Sequence, residues 1–258
     1  MSELASARVR HPFVELTRTR VLLLVREPEM IFWVFVFPIL MALALGLAFD
    51  RPGEAAAAPG YRYVDWLIPG LLGMNIMGTG IWGIGFQIVT QRSRKLLKRM
   101  MATPMQRAHY LGSFVVARLV LLALEVAALV GVAWLIFDIP IEGSLVTLAL
   151  VALVGAMAFG GIGLLTAARP RTIEGVSGIM NVVMAPMWIA SGVFFAASNF
   201  PDPLQPFIQA MPLTALVDAL RGVMLHGDGL RTIGFELLIL LAWTSGSFVL
   251  ALRLFRWR

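Results

Sequence analysis

Cysteine is absent from the 258-residue chain, which excludes disulfides, thiolate catalysis and cysteine-ligated metal. Charge is scarce as well. Asp, Glu, Lys and Arg together make up 14% of the residues, against about a quarter in soluble domains. With 59% hydrophobic residues and a mean hydropathy of +0.83, too little polar surface exists to cover a water-soluble body, so the excess calls for lipid. The three histidines, His11, His109 and His226, stand apart from one another, with no His-Glu-x-x-His spacing that would hold a metal. Asp218 with His226 has no activated nucleophile beside it, which leaves a membrane-embedded enzyme nothing to work with. No glycine-rich loop ending in Gly-Lys-Ser/Thr occurs, so the phosphate cradle of a nucleotide-hydrolysing subunit is missing. Residues 1–29 hold no uninterrupted apolar stretch and do not read as a cleavable signal peptide.

What the chain does have is long apolar runs. A helix needs about 20 apolar residues to cross a bilayer, because no backbone group can stay unpaired in hydrocarbon. Residues 30–49, 66–89, 111–137, 145–168, 175–200 and 233–252 meet that length, the third despite Arg118 and Glu125, the last with Glu236 near its start. The expected fold is all-α and membrane-integral, one domain over residues 1–258. It divides into a cytoplasmic N-terminal segment (1–29), six transmembrane helices (30–252) and a short tail (253–258).

The net charge of +6 and pI of about 10.7 would raise nucleic acid in a soluble protein. Here the basic residues cluster between apolar runs, and they read as orientation signals, not as a nucleic-acid surface. Arg8, Arg10, Arg18, Arg20 and Arg26 precede the first run; Arg92, Arg94, Lys95, Lys98, Arg99 and Arg107 follow the second; Arg169 and Arg171 follow the fourth; Arg253, Arg256 and Arg258 end the chain. Six alternating helices put all of these on one side and leave Arg51, Arg62, Arg221 and Arg231 on the other. By the positive-inside rule both termini face the cytoplasm of a cell (inner) membrane protein.

Two cytoplasmic stretches invite a function. Residues 13–27 mix Arg18, Arg20 and Arg26 with Val and Leu and read as an amphipathic helix lying on the leaflet, basic side chains toward anionic lipid; the alternative is a continuation of the first span, against which Pro28 favours a break. In residues 91–107, Leu96, Leu97, Met100 and Met101 share one helix face, Arg94, Lys95, Lys98 and Arg99 fill the remainder, and Thr103-Pro104 ends the helix. Such an apolar stripe suits a partner's groove. It equally suits the membrane surface, and spacing alone leaves both open.

The stretch Arg26-Glu-Pro-Glu-Met-Ile-Phe-Trp-Val-Phe-Val-Phe-Pro-Ile-Leu resembles the first-span signature of the ABC type-2 exporter permeases. Leu97-Lys-Arg-Met-Met-Ala-Thr-Pro-Met resembles their cytoplasmic loop, Ser191-Gly-Val-Phe-Phe with Phe200-Pro their fifth span, and Pro212-Leu-Thr-Ala-Leu-Val-Asp-Ala-Leu-Arg the approach to their last span. The similarity runs in order along nearly the whole chain, although Gln91-Arg-Ser-Arg-Lys stands where the family usually has an acidic residue. The resemblance implies an N-terminal connecting helix, a cytoplasmic coupling helix between the second and third spans, and a re-entrant extracytoplasmic segment, here 200–228, before the sixth. It also implies two permease halves, here expected as a homodimer, with two ABC ATPase subunits. ATP and Mg²⁺ would sit on that separate ATPase, this chain itself holding no cofactor and no metal. Leu96, Leu97, Met100, Met101, Thr103 and Pro104 would couple to it.

Arg118 and Glu125 lie seven residues apart, two turns along one helix face. Charges inside spans are rare and mark partners or pathways. Arg118, near the cytoplasmic end, has the length to snorkel, whereas Glu125 lies deeper. Glu125 reads either as a proton or cation site or as a helix-packing group. The resemblance makes the second and fifth spans the walls of the substrate path, with Asn75, Thr79, Trp82, Asn181, Met184, Trp188 and Ser191 as its candidates. Met and Trp suit varied apolar ligands, so the expected cargo is hydrophobic or amphipathic, drug-like or lipid-like. A lipid-linked or cell-surface polysaccharide is the alternative, and an ion-coupled secondary transporter built around Glu125 the rival class.

Overall fold

The computed structural model describes residues 12–49, 61–93, 107–170 and 172–254. Among them every regular element is helical: α1 (Pro12–Arg26), α2 (Pro28–Ala48), α3 (Tyr63–Ser93), α4 (Arg107–Phe137), α5 (Leu145–Thr166), α6 (Ile173–Ala190), α7 (Gln205–Gln209), α8 (Pro212–His226) and α9 (Gly234–Leu254), with 3₁₀ turns at Ala197–Asn199 and Asp202–Leu204. Six of these helices, α2, α3, α4, α5, α6 and α9, are long and apolar enough to cross a bilayer. The chain is a multi-pass membrane protein.

Local chemistry sets the boundaries. Glu27 is extended (φ −91°, ψ 99°) ahead of Pro28, as the ring of a following proline demands, and this separates α1 from α2. Within α2 a π-helical turn runs over Phe32–Val36 just before Pro38. Proline has no N–H to give the carbonyl four residues back, here that of Val34. The N-terminus of α3 is a capping box in which the Arg62 N–H donates to Asp65 Oδ2 at 2.9 Å. Arg62 Nη2 also donates to the Phe137 carbonyl at 2.7 Å, closing the end of α4. Ser144 and Thr172 cap α5 and α6 through Val146 N (3.2 Å) and Gly175 N (3.1 Å). At the other end of α5, Arg92 donates to the carbonyls of Ala167 (3.3 Å) and Pro170 (3.4 Å), a cation where the helix presents its negative end.

The bundle is built around α3 and α5. In their most apolar 18 residues, 67% and 61% are buried, against 22–28% in α2, α4, α6 and α9. Glycine lets these two helices meet: a Cβ on Gly85 would fall 2.4 Å from the Gly163 carbonyl oxygen, and one on Gly80 would fall 2.7 Å from Phe159 Cβ. Close backbone approach of this kind replaces the hydrophobic drive that lipid cannot supply. Gly78 and Gly83 on the same helix meet nothing within 4 Å.

One span ends well short of expectation. The fifth span, expected over 175–200, ends at Ala190, because Gly192 takes a left-handed φ of +77° and turns the chain back. Its apolar continuation at Val193 is fully buried, and the Val193 carbonyl oxygen presses so closely on Gly70 that a Cβ there would sit 2.8 Å away. In the segment 200–228, the helical stretch Asp202–Gln209 meets α8 at an 80° bend. All of α8 up to Leu225 is buried except Asp218.

Candidate functional site

A polar layer crosses three helices. Asn75 on α3 is buried, and its Nδ2 donates to the Val34 carbonyl of α2 at 2.7 Å. That is the carbonyl to which Pro38 has no i+4 N–H to give, and a side chain from α3 supplies a donor there. One turn on, Thr79 meets both charges of α4. Arg118 Nη2 donates to Thr79 Oγ1 at 2.7 Å, Arg118 Nη1 to Glu125 Oε1 at 2.9 Å, and Thr79 Oγ1 lies 3.2 Å from Glu125 Oε2. A hydroxyl has one proton, and the Thr79 proton is shared between Glu125 and the Asn75 carbonyl at 2.8 Å.

Glu125 is wholly buried and the Arg118 side chain is 13% exposed. A lone charge at the bilayer centre costs about 2.5–3.5 kcal/mol on insertion scales; here cation and anion neutralise one another within the bundle. Arg118 therefore does not extend toward the helix start, as snorkelling would have it. It turns the other way, to a carboxylate and a hydroxyl inside that take Nη1 and Nη2, while its Nε has no partner.

The second polar cluster centres on Arg221 of α8, 3% exposed. Its Nη2 donates to the Gly192 carbonyl at 2.6 Å, and Nε and Nη2 donate to the Trp66 carbonyl at 3.3 and 3.2 Å. The guanidinium carbon lies 3.5 Å from the centre of the Trp66 ring, a cation–π contact. Tyr63 donates its hydroxyl proton to the Phe194 carbonyl nearby, at 3.3 Å. Charge counting treats Arg221 as a loop cation; it is a buried clasp joining the start of α3, the turn after α6, and α8. Arg62, the capping residue that also closes α4, is another of the four basic residues assigned to that side.

The remaining candidates divide by direction. Met184 is buried with Met180 and Met187, and Met180 packs against Gly85 of α3. Ser191 is buried, its Oγ 3.9 Å from Met211 Sδ. Asn75 and Thr79 belong to the polar layer. Four of the seven path candidates are thus engaged within the chain's own bundle. The other three open outward: Trp82 sits partly exposed on a second π-helical turn, Trp82–Phe86, its ring 5.6 Å from Phe86, and Asn181 and Trp188 lie two turns apart on the exposed face of α6. Leu96, Leu97, Met100, Met101, Thr103 and Pro104 lie outside the described residues. Among the described residues, no group of three or more His, Asp or Glu side chains is arranged to hold a metal ion.

Residues 12–225, from α1 to the last turn of α8, match the sequence family described as ABC-2 type transporter. The chain belongs to that family. Among curated proteins it is similar to an ABC transporter G family member 20 of Dictyostelium discoideum, 24% identical over 187 residues, covering 72% of this chain and 26% of the relative. It is also similar to the inner membrane transport permease YadH of Escherichia coli K12, 21% identical over 166 residues and 63% of each chain. A third relative, the inner membrane transport permease YhhJ of the same strain, is 22% identical over 183 residues, 70% of this chain and 49% of the relative. The chain thus spans between a quarter and two thirds of these relatives. As an ABC-2 permease it is a component of a membrane transporter. The polar layer, the clasp and the outward face of α6 all fall within the region that matches the family.

Proposed function

We propose that this chain is the membrane half of an ATP-driven exporter in the cytoplasmic membrane, working as a pair of copies with two separate ABC ATPase subunits. The observation that carries this reading is the length of two helices. α3 and α4 are 31 residues each, about 46 Å at 1.5 Å per residue, whereas the hydrocarbon core is about 30 Å thick. They flank residues 94–106, so both extend beyond the lipid on that side, where Arg92, Arg94, Lys95, Lys98, Arg99 and Arg107 place the cytoplasm. Leu96, Leu97, Met100 and Met101, ended by Thr103 and Pro104, dock on the ATPase, and ATP-driven closure of the ATPases pushes on the paired rods. Both termini are cytoplasmic, α1 rests at the inner leaflet, and the bent segment ending in α8 re-enters from the outer side.

The exposed faces of α3 and α6, with Trp82, Asn181 and Trp188, line the path between the two copies. An unpartnered amide in hydrocarbon is unfavourable, and an axis between two copies supplies Asn181 with company. The cargo is hydrophobic or amphipathic, drug-like or lipid-like, for two tryptophans and one amide offer more apolar contact than hydrogen bonding. The test is purification of the tagged chain with its ATPase, alongside the double variant Leu97→Glu/Met101→Glu. The expected result is loss of ATPase co-purification and of ATP-dependent efflux in the variant. Undiminished association and export in the variant, or active transport by the chain purified without any ATPase, rejects the reading.

A further inference from the structure

Arg118 and Glu125 are both on α4, so their ion pair alone joins nothing to anything else. What reaches across is Thr79 of α3, held on one side by Arg118 Nη2 (2.7 Å) and on the other by Glu125 Oε2 (3.2 Å). Its one proton is shared between Glu125 Oε2 and the Asn75 carbonyl on its own helix, and the hydroxyl lone pair takes the charge-assisted bond from Arg118. Glu125 is about 14 Å along α4 from Val116, the first residue of its apolar stretch, at 1.5 Å per residue, so the grip lies near mid-membrane. The two helices it links are the ones that flank residues 94–106.

We propose that Thr79, Arg118 and Glu125 are positioning residues that clamp α3 to α4 at mid-membrane, so that both helices carry displacement from the ATPase-facing segment as one body. Without the clamp, van der Waals packing without a polar link joins the two rods at this depth. With it, movement of α4 is imposed on α3, and through Asn75 and the Val34 carbonyl on the π-helical turn of α2.

This inference rests on the exporter reading, and the experiment separates the two. In the complex with its ATPase, reconstituted in vesicles, Thr79→Val keeps the side-chain shape and the ion pair but removes the link between helices. The amount of an amphipathic fluorescent dye exported per ATP hydrolysed is expected to fall at least fivefold, with ATPase association and basal hydrolysis unchanged; Thr79→Ser restores the ratio to within twofold. An unchanged ratio in Thr79→Val overturns the proposal, since a residue that only packs shifts stability and leaves coupling alone. A second measurement needs no change at the clamp. The chain has no cysteine, so spin labels on Ser93→Cys and Leu119→Cys, both exposed, report the α3–α4 separation once labelled chains are diluted with unlabelled ones to remove distances between copies. That separation is expected to be the same in the nucleotide-free and hydrolysis-arrested complexes; a change between them overturns the clamp. Absence of any associated ATPase from the unsubstituted complex instead rejects the exporter reading itself.

Discussion

Two arginines inside this bundle, one part-buried and one buried, are held in opposite ways. Arg118 is neutralised by a carboxylate on its own helix and reaches α3 through a single hydroxyl. Arg221 takes backbone carbonyls from two other segments and a tryptophan ring, while Asp218, its only ion-pair partner among the described residues, stands off at 3.8 Å and is half exposed. The first is a pair, and a pair can be removed as a pair. The second is a keystone: the carbonyls it serves stay behind when it goes. One arrangement suits a part that transmits movement, the other a part that holds still.

The largest expected effect comes from the keystone. Arg221→Leu leaves the carbonyls of Trp66 and Gly192 buried without this donor, each costing about 1–3 kcal/mol, and forfeits the ring contact. A loss of about 3–5 kcal/mol should appear as poor accumulation and a lowered unfolding temperature in detergent. Arg221→Lys should recover little, because an ammonium lacks the planar fork that serves two carbonyls at once. Survival of Arg221→Lys at full stability would collapse the distinction between the two sites. Arg118→Leu comes next, at about 2.5–3.5 kcal/mol for the carboxylate left alone in lipid. The paired variant Arg118→Leu/Glu125→Leu should regain most of that, since a buried ion pair replaced by apolar groups is often close to neutral. Thermal unfolding of the single and paired variants side by side checks this, and additive losses would show that the charges act separately.

The chain's six spans are legible in composition, because lipid imposes a length and a polarity that few residues can violate. The end of α6 is not. Val193 is apolar for packing on Gly70 of α3, not for crossing lipid, and hydropathy cannot tell those two uses apart; only Gly192, whose φ is positive, carries the break. At the candidate site, the seven-residue spacing of Arg118 and Glu125 already puts them on one face. Their grip on Thr79 is hidden, since Thr79 precedes Arg118 by 39 positions and its contact depends on how α3 meets α4. Arg221 is hidden for a different reason: counting loop charges assigns an arginine between spans to water, and only the burial of the surrounding α8 reveals otherwise. Trp82, Asn181 and Trp188 differ from Met184 and Ser191 in direction alone, which residue type does not encode.

The smallest of these effects separates the moving layer from the static clasp most finely. Asn75→Leu removes one neutral hydrogen bond, and such bonds in membrane helices are worth about 0.6 kcal/mol on average and about 1.7 at most. The upper end is expected here, because Pro38 has no N–H to give the Val34 carbonyl four residues back and the Asn75 bond is short, 2.7 Å. Tyr63→Phe at the clasp removes a 3.3 Å bond to the Phe194 carbonyl and should cost about the average. The cause of the difference is testable by a cycle. Pro38→Ala restores an N–H four residues after Val34, so Asn75→Leu should be nearly harmless in the Pro38→Ala background while remaining costly in the native one. A loss of equal size in both backgrounds, measured by thermal unfolding in the same detergent, would mean that Asn75 serves packing and not the carbonyl that proline orphans.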